Sequence, residues 1–195
     1  TAVSAYLVSV TPGLFNAIFS GNSWIFYGLI ILELVMVIYL SAMISKMKAS
    51  TAGMVFFFYS ILNGITLASI FAIFSVTSIG LTFAITAGMF GIMSLYGYTT
   101  KTDITTVGNI AFMALIGIIL ASIVNIFLNN AALDWVISYI GVIVFVALTA
   151  YDTQKIKAYG MGVGENEEAG RKASIVGALN LYLDFVNLFL FLLRI

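Results

Sequence analysis

Six long runs of mostly apolar residues divide this 195-residue chain, and each run is long enough to cross a lipid bilayer. A membrane helix needs about 20 predominantly apolar residues to cross a hydrocarbon core about 30 Å thick. The runs predict helices over Trp24–Ile44, Ala52–Phe74, Ile79–Tyr98, Val107–Leu128, Trp135–Ile156 and Ala173–Leu193. A shorter apolar stretch, Thr1–Val10, precedes them and stops at the turn signal TPG, which contains Pro12. It predicts a seventh span, and because the chain begins with Thr1 rather than Met we expect this first helix to be truncated at its N-terminus.

Composition supports an all-α integral membrane protein. Hydrophobic residues make up 62% of the chain and charged residues 8%, whereas about a quarter of the residues in soluble domains are charged. The chain has no cysteine and no histidine, which excludes thiolate nucleophiles, imidazole zinc sites and Ser-His-Asp triads. A net charge of zero argues against a nucleic-acid partner. Any chemistry must therefore come from carboxylates, amides, hydroxyls and a few amines. We expect a protein without a cofactor and with lipid as the surrounding partner, and we expect it not to be an enzyme, although one protease class stays open.

The positive charges predict the orientation of the spans, because cytoplasmic loops of membrane proteins carry the excess of lysine and arginine. With alternating spans, seven of the eight cations fall on one side: Lys46, Lys48, Lys101, Lys155, Lys157, Arg171 and Lys172. Only Arg194 falls on the other side. The N-terminus is thus expected in the cytoplasm and the C-terminus outside, with a cytosolic loop over about residues 157–172 and a single seven-helix domain over residues 1–195.

Polar residues form a stripe on the last predicted span. Gly177, Asn180, Asp184 and Asn187 recur at steps of three and four residues, so they share one helical face. A charged side chain at the centre of a membrane helix costs about 2.5–3.5 kcal/mol on insertion scales. This face is therefore expected against other helices, although Asn180 and Asn187 alone would also fit a role as interhelical hydrogen-bonding groups.

The preceding span carries a matching stripe, composed of Ser138, Gly141, Phe145, Thr149 and Asp152. With a rise of 1.5 Å per residue, Asp152 lies about 10 Å and Asp184 about 16 Å inside their helices, so the two can be neighbours. Two carboxylates in a poorly solvated site do not easily both ionise, and they tend to share one proton. The pair is therefore expected to form a pH-sensitive clasp, closed at low pH and loosened as pH rises. Lys155 is a rival partner of Asp152, but its position predicts that it reaches toward water.

Glu33 is a third acid inside a predicted span, ten residues beyond Ser23. No counterion for it is visible on its own helix. This predicts that Glu33 faces either a cavity or another protonated group.

Several segments together resemble the Bax inhibitor-1 family, also called transmembrane Bax-inhibitor-motif proteins, and especially its bacterial inner-membrane members. They are VALTAYDTQKIK around Asp152, LNLYLDFVNLFLFLLRI around Asp184, TAGMFGIMSLYGYTTKTD and GNIAFMALIGIILASIVNIFL. The resemblance implies seven helices with the C-terminal helix central and surrounded by the other six. It also implies a pH-dependent calcium leak controlled by Asp152 and Asp184, with Glu33 on the same path. Some bacterial relatives have an arginine near the end of the second helix, where this chain offers only Lys46 and Lys48, so an arginine–aspartate exchange is not expected.

The implied ion path involves weak binding. Calcium prefers six to eight oxygen ligands, and two or three carboxylates with amide oxygens form an incomplete shell. We therefore expect calcium to bind Asp152 and Asp184 only transiently, as a permeating ion, with Asn180 and Asn187 supporting the gate or hydrating the path.

Two other functional classes stay open at this point. Intramembrane aspartyl proteases also use two aspartates on adjacent helices, one in a Tyr-Asp pair like Tyr151-Asp152, but the chain lacks their Gly-x-Gly-Asp and Pro-Ala-Leu segments. A regulator could instead bind a stress-response or protease partner within the membrane through small residues such as Ala87 and Gly91. We expect those two residues to pack within the bundle, and the chain to be a monomer.

Overall fold

A computed structural model describes residues 1–21, 23–44, 46–162 and 167–195, and in these ranges the regular elements are helices, with no strand. The α-helices are α1 (Ala2–Ser9), α2 (Pro12–Phe15), α3 (Ser23–Met43), α4 (Ala49–Leu67), α5 (Ile70–Ile73), α6 (Val76–Thr99), α7 (Thr105–Leu128), α8 (Ala131–Gly162) and α9 (Glu167–Arg194). A π-helix, Asn16–Gly21, continues from α2. The prediction of an all-α protein is confirmed.

The long helices overlap the predicted membrane spans, but the single helix predicted over Ala52–Phe74 is divided into α4 and α5. Within the described ranges, six helices are long and apolar enough to cross a membrane. The count reaches seven if α1 and the following segment Pro12–Phe19, which meet at a bend of 97°, form one broken span. The bend falls at the predicted TPG turn, because Pro12 cannot continue α1 but is favoured in the first turn of a new helix.

The helices differ most from prediction around the expected loop over residues 157–172. Helix α8 continues to Gly162 and α9 already begins at Glu167, so only residues 163–166 of that loop lie outside the described residues. Hydropathy marks where a helix leaves lipid, but backbone hydrogen bonds hold the helix together beyond that point. Helix α8 also starts earlier than Trp135, because the Asn130 side chain accepts hydrogen bonds from the backbone N–H groups of Ala132 (2.9 Å) and Leu133 (3.2 Å).

The chain divides into two compact units, and a single domain stays a prediction. Unit 1 comprises Thr1–Thr77 and Glu167–Val176. In this unit α1 lies close against α4, because Gly64 has no side chain to separate the helix from the backbone of Thr1. The Thr1 hydroxyl donates a hydrogen bond to the Ser60 carbonyl at 2.7 Å, and the Ser4 hydroxyl donates one to the Ile61 carbonyl at 3.1 Å.

Unit 2 comprises Ser78–Asn166 and Gly177–Ile195, and it contains all of α7 and α8, most of α6 and the larger part of α9. Its buried core is formed by α7, α8 and α9 through Ala111, Ile118, Ile137, Val144, Phe145, Leu148 and Leu188. Helix α6 reaches α9 through aromatic rings, since Phe185 lies 5.4 Å from both Phe83 and Phe90, centroid to centroid. Within unit 2, α9 is therefore contacted by each of the other three helices.

Within the described residues of unit 2, Ala87 and Gly91 of α6 do not pack against α7, α8 or α9, so the expected packing within the bundle is not seen in this unit. A Cβ atom on Gly91 would find no atom within 4 Å, and Ala87 is exposed. Helix α6 contacts α9 through the bulky rings of Phe83 and Phe90, which leave the small residues beside them open.

Candidate functional site

Helices α8 and α9 touch at two levels, and a glycine makes each contact possible. A Cβ atom on Gly141 of α8 would lie 2.6 Å from Cγ of Phe191, and one on Gly177 of α9 would lie 2.6 Å from Cγ1 of Ile156. Both distances are too short for a real side chain, so each glycine lets the opposite helix approach. Because the early residue of α8 meets the late residue of α9, the two helices run antiparallel in this region.

The two contacts set the relative depth of the two aspartates. Asp184 lies halfway between the two contact residues of α9, and Asp152 lies four residues before Ile156 of α8. With a rise of 1.5 Å per residue, their levels differ by about one helical turn, or roughly 5 Å. Asp152 and Asp184 thus occupy neighbouring helices at similar depth.

Both aspartates line one cavity of about 790 Å³ in unit 2. The cavity lies among α7, α8 and α9, and Asn180 and Asn187 also line it. Its volume far exceeds the roughly 30 Å³ that one water molecule occupies in the liquid. The cavity therefore brings together the four sequence-predicted site residues of α8 and α9.

Asp184 is a buried acid in the wall of this cavity. Its residue surface is only 5% exposed, and its Oδ2 atom is buried without a hydrogen-bond partner. A buried acceptor left unsatisfied costs about 1–3 kcal/mol, and more when it carries charge. Such an oxygen is suited to receive a proton or to contact a passing cation.

Asp152 is half-buried, and in the part of the chain that the structure describes no hydrogen bond joins its carboxyl group to that of Asp184. The axial offset of about one turn accounts for this separation. A directly shared proton therefore stays a prediction, and it requires the two groups to approach more closely than they do here.

The comparison with known proteins supplies the family. A family model described as "Bax1-I: Inhibitor of apoptosis-promoting Bax1" matches residues 1–195. The chain belongs to this family. It is 54% identical over 196 residues to the inner membrane protein YbhL of Escherichia coli strain K12, covering 100% of this chain and 83% of the relative.

More distant relatives of this Bax1-I family member extend across bacteria. An uncharacterized protein of Borreliella burgdorferi is 44% identical over 194 residues, covering 100% of this chain and 83% of the relative. An uncharacterized membrane protein of Streptococcus pyogenes serotype M1 is 37% identical over 171 residues, covering 88% of this chain and 73% of the relative.

The two asparagines of α9 have different surroundings. The Asn187 side-chain amide donates a hydrogen bond to the Leu183 carbonyl of its own helix at 2.8 Å. Among the described residues, neither Asn180 nor Asn187 donates to another helix. Their expected role as interhelical hydrogen-bonding groups is therefore not seen here, and both face the cavity.

Glu33 belongs to unit 1, and its carboxylate has two donors on α4. The Asn63 amide donates to Oε2 at 3.1 Å, and the Thr66 hydroxyl donates to Oε1 at 2.7 Å. The sequence predicted a cavity or another protonated group beside Glu33 and did not predict these neutral donors. The place of Glu33 on an ion path stays a prediction.

Sequence reasoning missed two polar residues of the cavity, Asn109 and Ser122 of α7, and it did not place Lys155 or Arg194 in the cavity lining. The signal for the first two was present, because a polar side chain inside an apolar span points to a protein-facing or water-facing position. Among the residues that the structure describes, no three acidic side chains gather into a cluster that could hold a metal ion. Two carboxylates alone are suited to brief contact with calcium rather than to stable binding.

Proposed function

We propose that this Bax1-I family member is a pH-dependent calcium leak of the membrane, with Asp152 and Asp184 as its protonatable gate. The observation that carries the proposal is the buried Oδ2 atom of Asp184, which has no hydrogen-bond partner and belongs to a residue lining the same cavity as Asp152. Polar groups with this environment inside membrane proteins usually mark ion or proton paths.

Protonation changes the charge that faces the cavity. When the pair holds a proton, the repulsion between two carboxylates is absent and α8 and α9 stay in contact. As the pH rises and that proton leaves, two like charges face one another and the contact loosens. The leak is therefore low at acid pH and increases as the pH rises.

Calcium passes through this cavity without a complete ligand shell. The carboxylates of Asp152 and Asp184 and the amide oxygens of Asn180 and Asn187 provide fewer oxygens than the six to eight that calcium prefers. Conduction requires binding that is weak enough for the ion to leave. The proposed calcium conduction makes and breaks no covalent bond, so under this proposal the protein acts as a channel and not as an enzyme.

The membrane and the orientation are part of the proposal. The E. coli relative is named an inner membrane protein, and we place this chain in the same membrane. The lysine and arginine distribution supports a cytoplasmic N-terminus and an external C-terminus.

Calcium flux into liposomes tests the proposal. The full chain is reconstituted as wild type, Asp152→Asn and Asp184→Asn, and the initial flux is measured between about pH 5 and 8, where the shared proton is expected to leave. Wild-type flux should increase severalfold over this range. Each asparagine variant should lose most of the pH response, because an amide cannot take up or release the proton.

Glu33→Gln is the matched control, since it also replaces a membrane carboxylate by an amide. It should keep the wild-type pH response because Glu33 belongs to a separate hydrogen-bonded group. An unchanged flux and pH response in both aspartate variants would eliminate the proposed gate.

A second candidate function is regulation of a membrane partner, and the open face of α6 favours it. Ala87 and Gly91 are exposed among the described residues of unit 2, and small residues let another membrane helix approach closely. Gly91→Leu should then prevent co-purification of a stoichiometric membrane partner without changing calcium flux. Absence of any such partner from the wild-type preparation would remove this candidate.

A further inference from the structure

Unit 2 contains a second cavity, of about 350 Å³, beside the aspartate cavity. It is lined by the segment between α6 and α7, including Lys101 and Asp103, and by α8. Gln154 fixes that segment to α8, since its side chain accepts a hydrogen bond from the Ile104 backbone N–H at 3.1 Å and donates one to the Thr102 carbonyl at 2.9 Å. The two hydrogen bonds of Gln154 therefore hold the segment between α6 and α7 in place as one wall of the second cavity.

Tyr151 and Lys155 line both cavities, so they stand between them. The Tyr151 ring packs on α7 at Gly108, where a Cβ atom would collide with the ring. Glycine at position 108 is thus required for the ring to lie in this place.

The Lys155 ammonium group is held by aromatic rings. Its Nζ atom lies 5.6 Å from the ring centroid of Tyr151 and 5.9 Å from that of Tyr159. Such cation–π contacts hold an ammonium group without neutralising its charge. In the described part of the chain, no ion pair within 4.0 Å connects Lys155 to Asp152. Asp152 interacts with this ammonium group electrostatically without an ion pair, so the Lys155 charge stays at the junction of the two cavities beside a carboxylate.

We propose that Lys155, positioned by Tyr151, is the charge barrier that limits and selects the cations reaching the aspartate cavity. The proposal rests on the proposed function, in that this cavity is taken as a cation path. At about 6 Å in water-like surroundings, a unit positive charge disfavours a divalent cation roughly tenfold and a monovalent cation roughly threefold. Lys155 thus slows the leak and lowers its preference for calcium over monovalent cations, as charged side chains do in other channels.

Thiol labelling tests this barrier without relying on calcium flux. The chain has no cysteine, so Leu183→Cys introduces a single reporter thiol on the wall of the aspartate cavity. In liposomes, a neutral and a singly cationic thiol reagent of similar size are added from each side in turn. The measured quantity is the ratio of the cationic to the neutral labelling rate.

The expected result depends on the charge at position 155 alone. Lys155→Gln should raise the ratio roughly threefold from the side of the second cavity, and Lys155→Arg should leave it unchanged. Lys157→Gln is the matched control, because Lys157 donates to the Tyr98 carbonyl at 2.7 Å, contacts the Tyr98 ring at 4.9 Å and lines neither cavity. It should leave the ratio at the wild-type value.

The barrier is overturned if Lys155→Gln leaves the ratio unchanged, or if the reporter thiol reacts with neither reagent from either side. Calcium flux of the same proteins separates this failure from a failure of the proposed function. Lys155→Gln should increase calcium flux roughly tenfold. If Lys155→Gln raises the labelling ratio while neither wild type nor any variant conducts calcium, the proposed calcium leak is wrong and the proposed charge barrier is supported.

Discussion

Glu33 and Asp184 are both acids inside long apolar helices, yet their surroundings are opposite. Glu33 of α3 accepts hydrogen bonds at both carboxylate oxygens, from Asn63 at 3.1 Å and from Thr66 at 2.7 Å. Asp184 of α9 is buried, has an oxygen without a hydrogen-bond partner and lines a cavity of about 790 Å³.

The difference shows that an acid inside a membrane helix does not by itself indicate function. Donors on a neighbouring helix compensate Glu33 for the loss of water, so its contacts suffice to explain its presence. Asp184 has no such compensation at Oδ2, and a stable fold has no need of an unsatisfied acid there. Hydrogen-bond satisfaction therefore separates the structural carboxylate from the candidate functional one.

The largest expected effect comes from separating the helices that carry the aspartates. Gly177→Leu forces a side chain into the space of Ile156, and overpacking of this kind lowers the free energy of unfolding by about 3 kcal/mol. Reversible unfolding in mixed micelles measures the change. Gly117→Leu is the control, because a Cβ atom there meets nothing within 4 Å, and its effect should stay below about 1 kcal/mol. Equal stability of the two variants would contradict the close contact of α8 and α9.

Replacing Glu33, whose carboxylate accepts two hydrogen bonds, should lower the free energy of unfolding. Glu33→Leu removes an acceptor from the Asn63 amide and leaves the Thr66 hydroxyl with the Asn63 carbonyl at 3.0 Å as its acceptor, so it should lower the free energy of unfolding by about 1 kcal/mol. Glu33→Gln keeps one acceptor oxygen and should cost less in the same unfolding experiment. A neutral effect of Glu33→Leu would mean that the two hydrogen bonds do not stabilise unit 1.

The equivalent substitution at Asp184 should not lower the free energy of unfolding. Because Oδ2 has no partner to lose, Asp184→Leu should leave the free energy of unfolding unchanged or raise it by up to about 1 kcal/mol. The same variant should lose the pH response of calcium flux. A loss of stability as large as that of Glu33→Leu would remove the contrast between the two acids.

The smallest effect is expected at Asn187. Its amide donates only to the Leu183 carbonyl of its own helix among the described contacts, so Asn187→Leu should change the free energy of unfolding by less than about 0.6 kcal/mol. Calcium flux should decrease without a change in its pH dependence, because the cavity loses a polar wall but keeps both aspartates. A shifted pH dependence would place Asn187 within the gate itself.

The sequence predicted the spans and the aspartate stripes well, because both follow from local patterns. Apolar length locates membrane helices, and the three- and four-residue steps around Asp152 and Asp184 place each acid on a protein-facing stripe. Tyr151 and Tyr159 stand four residues before and after Lys155, so helical spacing could also have revealed the rings around its ammonium group.

The partners of Glu33 were not predictable in the same way. Asn63 and Thr66 are polar residues inside another apolar span. Their pairing with Glu33 depends on the relative rotation and depth of α3 and α4, and Asn63 lies 30 residues after Glu33 in sequence. The ends of α8 and α9 were missed for a different reason, since hydropathy falls at the lipid boundary while the helix continues.

Infrared difference spectroscopy of the protonated carboxyl band tests most directly whether Asp152 and Asp184 titrate as one pair. The band is followed in the reconstituted protein between about pH 5 and 8, where a coupled pair in a poorly solvated site is expected to release its proton. We expect wild type and Glu33→Gln to lose the same band as the pH rises, and Asp152→Asn and Asp184→Asn each to lack that transition. A transition that persists unchanged in either aspartate variant would contradict a coupled pair.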